Sequence, residues 1–216
     1  MRVIALEASG DTYTCNAYLV LGTWSGLEDV NTLVDVGRDP AVLAGLEEAP
    51  TGVGKTRVEQ VVLTHGHYDH CSLLPTIIEL YRPSVLAYSQ GVDGVSGLVA
   101  DGEEVRLGDR RFTVLHTPGH TEDSICLYCK EEGVLFSGDM PLVINAVGGS
   151  YKRRFVNALE RICALNVRAI YFGHGQPLYE DCNRRLRHSL KNVQRSVELT
   201  PAAGVRPARA GQSKLA

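Results

Sequence analysis

The sequence predicts an α+β fold in which two β-sheets stack face to face with helices on the outside. Three observations carry that expectation. Short runs of apolar and β-branched residues, bounded by Gly, Asp and Ser, recur through the first two thirds of the chain. These runs fall into two series, each followed by segments with helical apolar spacing. The 216 residues, 44% hydrophobic and 22% charged, suffice for one layered domain. A chain of that size buries roughly 70% of the surface its unfolded form exposes.

Taken in order, residues 2–8, 16–21 and 32–35 read as strands. Asp39-Pro40 opens a helix, with Pro at its first position and Val42, Leu43 and Leu46 on one face. Residues 58–63 form another apolar strand. Residues 73–81 are apolar on most sides and stop before Pro83, which predicts a short, well-buried helix. Strands follow at 84–88, 104–107 and 111–116, the last two joined as a hairpin by Gly108-Asp109. Residues 124–129 and 134–137 form a second hairpin through Glu131-Glu132-Gly133. Phe155, Leu159 and Ile162 keep helical spacing, and 169–172 is a further strand. In the final helix Cys182, Leu186, Leu190, Val193 and Val197 form one stripe, with Glu180 and Asp181 at its positive end. From Pro201 on, Pro, Ala, Gly and Arg dominate. A domain over 1–200 followed by a disordered basic tail over 201–216 is expected.

Charge narrows the partners. The formal net charge is −3, from 22 basic and 25 acidic residues. Arg206, Arg209 and Lys214 lie in the last sixteen residues, which hold no acid, so the body carries −6. Such a body lacks the electrostatic footprint of a nucleic-acid binder. The apolar run before Glu7 is too short for a signal peptide, and no stretch approaches the ~20 residues of a membrane helix. The six cysteines are scattered, unlike a disulfide framework. A cytoplasmic protein with reduced thiols, a small-molecule substrate and no membrane or nucleic-acid partner is expected.

The chemistry concentrates in Thr64-His65-Gly66-His67-Tyr68-Asp69-His70, directly after an apolar strand. On a turn there, His65 and His67 can face one side while Asp69 and His70 face another. That supplies ligands for two neighbouring metal ions. The spacing is not that of a helical His-Glu-x-x-His site. Three further residues follow predicted strands: His120 in Thr117-Pro118-Gly119-His120, Asp139 in Ser137-Gly138-Asp139, and His174 in Gly173-His174-Gly175. Glycine beside each allows tight loops that aim several strand ends at one spot.

With Asn16-Ala17-Tyr18-Leu19-Val20, these residues make the chain resemble the metallo-β-lactamase superfamily, in its glyoxalase II-like branch. The matching residues run in the family's order and cover nearly the whole chain. The resemblance implies a four-layer αββα sandwich of two mixed sheets with helices on the outer faces. It also implies two divalent metal ions. His65, His67 and His120 would hold the first, Asp69, His70 and His174 the second, and Asp139 would bridge them. Imidazole and carboxylate ligands without thiolate suit zinc, iron or manganese and do not choose among them; zinc is the expected ion, with iron or manganese as alternatives. A structural zinc site closes with four ligands, usually including cysteine; seven ligands with two carboxylates leave positions open for chemistry. A shared water that loses its proton near neutral pH would attack a polarised carbonyl.

The expected activity is therefore hydrolysis of an ester, thioester or lactone by a metal-bridging hydroxide. Only 42 residues follow His174, which leaves no room for the helical domain that helps hold glutathione in full-length glyoxalase II. The alternative is a mononuclear iron persulfide dioxygenase using His65, His120 and Asp139 as a two-His, one-carboxylate triad. A β-lactamase ranks lower, as does a nuclease, since the body is acidic and no substrate domain is inserted. A flavodiiron protein is disfavoured, because that group carries an acid where His67 stands.

Other features are weighed against plain packing. Cys126 and Cys129 have CxxC spacing but sit in a strand, where residues three apart face opposite sides, so core burial is expected. Cys71 reads as buried. Gly52-Val53-Gly54-Lys55-Thr56 lacks the first glycine of a phosphate loop and the helix after it. His116 reads as a structural strand-end residue and His188 as an exposed helical one. Trp24 and Leu27 form an apolar loop tip, read equally as a lid over the site or as ordinary surface. The segment Tyr151-Lys152-Arg153-Arg154 could bind a substrate carboxylate but reads slightly better as a solvated helix end, except that Tyr151 is a candidate to reach a substrate carbonyl. Tyr68 is a similar candidate, and Asp69 a catalytic one.

Overall fold

A computed structural model describes residues 1–199 of the chain. The expected tail over 201–216, and the boundary set for it, lie outside the described residues. Six strands form the first sheet: β1 (Arg2–Leu6), β2 (Ala17–Leu21), β3 (Thr32–Val34), β4 (Gln60–Val62), β5 (Ser84–Ala87) and β6 (Gly97–Leu98), in sequence order across the sheet. The second sheet holds β7 (Glu104–Leu107), β8 (Arg110–His116), β9 (Ile125–Cys129), β10 (Val134–Gly138) and β11 (Ala169–Phe172), also in sequence order. Both sheets are mixed. β1, β2 and β3 pair antiparallel, while β3 to β6 run parallel. In the second sheet only β10 and β11 are parallel. Helices α1 (Ala41–Glu48), α2 (Tyr68–Cys71) and α3 (Leu74–Tyr81) belong to the first half, α4 (Arg153–Cys163) and α5 (Cys182–Leu199) to the second.

Strand alternation builds three apolar layers, and with them the αββα order. Along β2, Ala17, Leu19 and Leu21 pack with Val42, Leu46 and Ile77 of the first helices. Tyr18 and Val20 instead face Phe112, Leu127 and Phe136 of the other sheet. Along β9, Leu127 and Cys129 join that inter-sheet layer, whereas Cys126 and Tyr128 pack under Phe155, Leu159 and Leu186. The two cysteines thus face opposite layers, as the strand period requires. Central strands buried on both faces are what a four-layer sandwich demands of its sequence.

Several expectations are corrected. The segment 74–81 buries only Leu74 and Ile77, and Leu80 is 55% exposed, because one face of α3 covers the sheet and the other meets solvent. In α5, Val197 is exposed, while the polar Ser189, Asn192 and Ser196 are buried. They serve the segment between β10 and α4: Ser189 Oγ accepts from Ile144 N (2.8 Å), Asn192 Nδ2 donates to Ile144 O (2.8 Å), and Ser196 Oγ accepts from Gly148 N (2.8 Å). Asp181 stands at the start of α5 as expected, in a left-handed conformation, its carbonyl accepting from Arg185 N (2.9 Å) and its carboxylate paired with Arg184.

The loop bearing Trp24 and Leu27 follows β2 at the end remote from Asn16, where Val30 bridges Gly108. Asn16 marks the other end, its backbone N donating to Gly173 O (2.7 Å). A five-residue strand puts about 16 Å between them. Trp24 (91% exposed) and Leu27 therefore do not cover the His-rich end, and the lid reading falls. Among the described residues no helix is long and apolar enough to cross a membrane.

Candidate metal centre

Every predicted ligand converges on one end of the sandwich. β8, β10 and β11 run in the same direction, so the residues after them share one edge. β4 ends beside them, and Ile125 N donates to Thr64 O across the sheets (2.9 Å). After β4 the chain gives His65, then the single turn α2. Four residues are too few for the sequence to show helical periodicity. This turn places Asp69 and His70 inward and leaves Tyr68 60% exposed.

Two ligand clusters result. Atoms of His65, His67 and His120 lie within 4.8 Å of one another, as do atoms of Asp69, His70 and His174. His67 Nδ1 and His120 Nε2 are 2.9 Å apart, and His174 Nε2 is 3.1 Å from Asp69 Oδ2. Asp139 stands between the clusters, 3.3 Å from His70 Nε2, 3.5 Å from His120 Nε2 and 3.4 Å from His174 Nε2. Each cluster takes two ligands from the first sheet's loop and one from the second sheet.

The buried atoms His65 Nε2, His70 Nε2, His174 Nε2 and Asp139 Oδ1 have no hydrogen-bond partner, although His65 and His70 are tied through their Nδ1 atoms. Buried polar atoms are seldom left so, and four aimed at one volume fit a bound cation. The orientation of His65 and His70 is set by a carboxylate that the sequence reading passed over. Asp35, ending β3 at φ 54°, accepts from Thr64 N (2.8 Å), from Thr64 Oγ1 (2.7 Å) and from His70 Nδ1 (2.8 Å). The Thr64 hydroxyl, having donated to Asp35, accepts from His65 Nδ1 (3.2 Å). One buried acid thus fixes the tautomers of both His65 and His70 and bares their Nε2 atoms to the centre. The only sequence signal was an acid closing an apolar strand, which looks like any turn residue.

Electrostatics agree with cation binding. Burial, then the neighbouring His70, holds His65 down to about 4, so it is neutral at physiological pH. Burial would also depress His70, but the Asp35 charge, the Asp139 carboxylate 3.3 Å from Nε2 and the hydrogen bond to Asp35 raise it instead. Burial opposes the Asp139 charge, yet the His70 contact brings its carboxyl down to about 2. In this ligand set His70 is the group that holds a proton a cation would displace.

The surroundings sort the remaining candidates. Tyr13, which the sequence reading did not single out, stacks on His174 (5.3 Å, 19°). Tyr68 lies at the rim beneath the Arg38 guanidinium (5.5 Å). Tyr151 stacks on Phe155 (5.4 Å) and lines a recess of about 220 Å³ with Gly119 and His120. Arg154 pairs with Glu122 and so is committed elsewhere. Cys71 is buried with its thiol donating to His67 O (2.9 Å). His116 stacks on Tyr88 (4.0 Å, 7°) at the end of β8, and His188 is exposed on α5. The glycine-rich residues after Thr51 lead into β4 rather than a helix.

A sandwich with this centre defines a class, and comparison supplies its membership. The metallo-beta-lactamase superfamily profile matches residues 10–174, and the chain belongs to that superfamily. It is 28% identical over 196 residues to an atrochrysone carboxyl ACP thioesterase of Aspergillus fumigatus, covering 83% of this chain and 61% of that protein. It is 27% identical over 221 residues to a hydroxyacylglutathione hydrolase of Hydrogenovibrio crunogenus, covering 94% and 78%. The chain thus spans under two thirds of the first of these relatives. Among solved structures, ETHE1 from Myxococcus xanthus superposes with a TM-score of 0.67 at 22% identity, over 90% of this chain and 85% of that one. At that identity the likeness is one of fold.

Proposed function

We propose that the protein is a metal-dependent hydrolase that cleaves an ester, thioester or lactone with two divalent ions, zinc in first place. The carrying observation is the set of four buried ligand atoms without a hydrogen-bond partner, two of which, on Asp139 and His174, belong to residues that line an open cleft. A site that only stapled loops would be closed. When bound, such ions supply a water nucleophile ionised near neutral pH and a Lewis acid for the carbonyl.

The chain's own residues do the rest. Asp35 and Thr64 hold His65 and His70 with Nε2 inward, so little reorganisation accompanies the reaction. Asp69, its Oδ2 beside His174, accepts a hydrogen bond from the attacking water and orients it. Tyr151, in the recess beside His120, donates its phenol to the substrate carbonyl oxygen. Tyr68 closes the rim. The thioesterase and glutathione hydrolase among the relatives support acyl transfer to water as the reaction class.

Metal analysis of protein purified without added metal, with ester and thioester assays before and after chelation, tests this reading. Two zinc ions per chain, with activity lost on chelation and restored by zinc, are expected. One iron per chain with oxygen uptake on glutathione persulfide would replace the reading with the dioxygenase. A metal-loaded protein that turned over no acyl compound in a broad panel would end it.

A further inference from the structure

Beside the ligands His120, Asp139 and His174 opens a cleft of about 510 Å³. Its remaining wall is built chiefly from Met140, Pro141, Leu142, Val143, Phe172 and Gln176. Among the described residues lining it there is no lysine or arginine, and the acids and imidazoles belong to the metal centre. A substrate carboxylate or phosphate laid along Pro141–Val143, away from the ligand residues, would lose hydration and meet no lysine or arginine, which is unfavourable. Aliphatic groups gain on the same surface, since Pro141 and Val143 are exposed there.

The wall is preformed. Met140 and Leu142 are rooted in the core at 3% and 1% exposure, and the stretch that follows is strapped to α5 by Ser189, Asn192 and Ser196. A fixed apolar surface gives binding energy to a chain without first having to order itself. Past Pro141 lies the smaller recess, which carries Ser150, Tyr151 and Lys152. Gly119, Pro141 and Phe155 make much of that recess apolar too, but Lys152 and the Ser150 and Tyr151 hydroxyls give it donors for a leaving group, and its smaller volume, about 220 Å³ against 510 Å³, leaves the larger cleft to the acyl portion.

Resting on the hydrolase reading above, we propose that the acyl group of the substrate is uncharged and aliphatic and lies along Pro141–Val143 against Phe172. The reaction itself is unchanged: water adds its oxygen to the acyl carbon, the ester or thioester bond breaks, and the leaving group departs with a proton.

The test uses zinc-loaded protein and p-nitrophenyl acetate, butyrate, hexanoate and octanoate, with a glutaryl ester whose chain ends in a carboxylate. Between about twofold and about fourfold in kcat/KM is expected per added methylene until the cleft is filled, the upper figure being the ~0.8 kcal/mol of a fully buried CH2. The glutaryl ester should fall about tenfold or more below the butyryl ester. Val143→Asp should cut the octanoyl-to-acetyl ratio by about tenfold. Calorimetric binding of octanoate against acetate and glutarate gives a readout without turnover. Tighter octanoate binding with no ester hydrolysed would keep the aliphatic cleft and overturn the hydrolase. Acetate ester turnover with a flat chain-length profile, or with glutaryl preferred, would keep the hydrolase and overturn the aliphatic acyl group.

Discussion

Asp35→Asn should weaken the centre without touching a metal ligand. The carboxylate receives three donors: Thr64 N at Oδ1, and Thr64 Oγ1 with His70 Nδ1 at Oδ2. Asn has nearly the same shape and tolerates the left-handed backbone at φ 54°, so the change tests chemistry rather than geometry. Only two amide orientations exist. With the amide oxygen toward His70, the NH2 meets the Thr64 backbone N–H, and a buried donor unpaired costs about 1–3 kcal/mol of stability. With the NH2 toward His70, Nδ1 must become the acceptor and the ring proton moves to Nε2, the atom that faces the cation. That orientation costs about tenfold to hundredfold in metal affinity, or about 1.4–2.7 kcal/mol. Chelator-competition titration of zinc, paired with denaturant unfolding of the metal-free protein, reads both channels. A variant that matches the wild type in zinc affinity at both sites and in metal-free stability would refute the tautomer argument.

Other outcomes follow from the same geometry. Gly173→Ala would push a Cβ into Asp139 Oδ1 and to within 2.9 Å of His70 Cε1, so zinc content should drop by about one ion and activity by roughly a hundredfold. Elemental analysis and ester assay check this. Because the His70 pKa is raised above its usual 6.5, zinc must displace its proton below that raised value; apparent affinity should rise about tenfold per pH unit across neutral pH. Zinc titration calorimetry in buffers of different ionisation enthalpy should accordingly show proton release, and none would refute it. Burial raises Cys15 to about 11, and Cys71 and Cys126 to about 12, so iodoacetamide should label them at least about a hundredfold more slowly in the native than in the denatured protein. Tyr151→Phe should lower kcat about tenfold with zinc content unchanged if its phenol reaches the carbonyl, measured beside Tyr68→Phe as the rim control.

The parts of the fold legible from sequence were those whose signal is local. β8 and β9 carry enough apolar residues, and Gly108 and Gly133 a sharp enough turn, to mark both hairpins. The candidate metal ligands stood out because His and Asp are costly to cluster without a cation. What escaped depends on pairing or contact. α2 and the two-residue β6 are too short for any period to register. Strand direction, which puts Trp24 at the far end, is set by partners distant in sequence. Ser189, Asn192 and Ser196 broke the apolar pattern of α5 because they face a backbone that needs hydrogen bonds. Asp35 and Tyr13 acquire their roles only from what folds against them.

The strap held by α5 has a consequence for the order of assembly. All seven candidate ligand positions have been made once the ribosome passes His174. The aliphatic wall cannot set until Ser189, Asn192 and Ser196 have emerged and docked, since they anchor Ile144 and Gly148. A nascent chain would therefore own its reactive centre before it owns its selectivity, and the last helix is what separates the two moments.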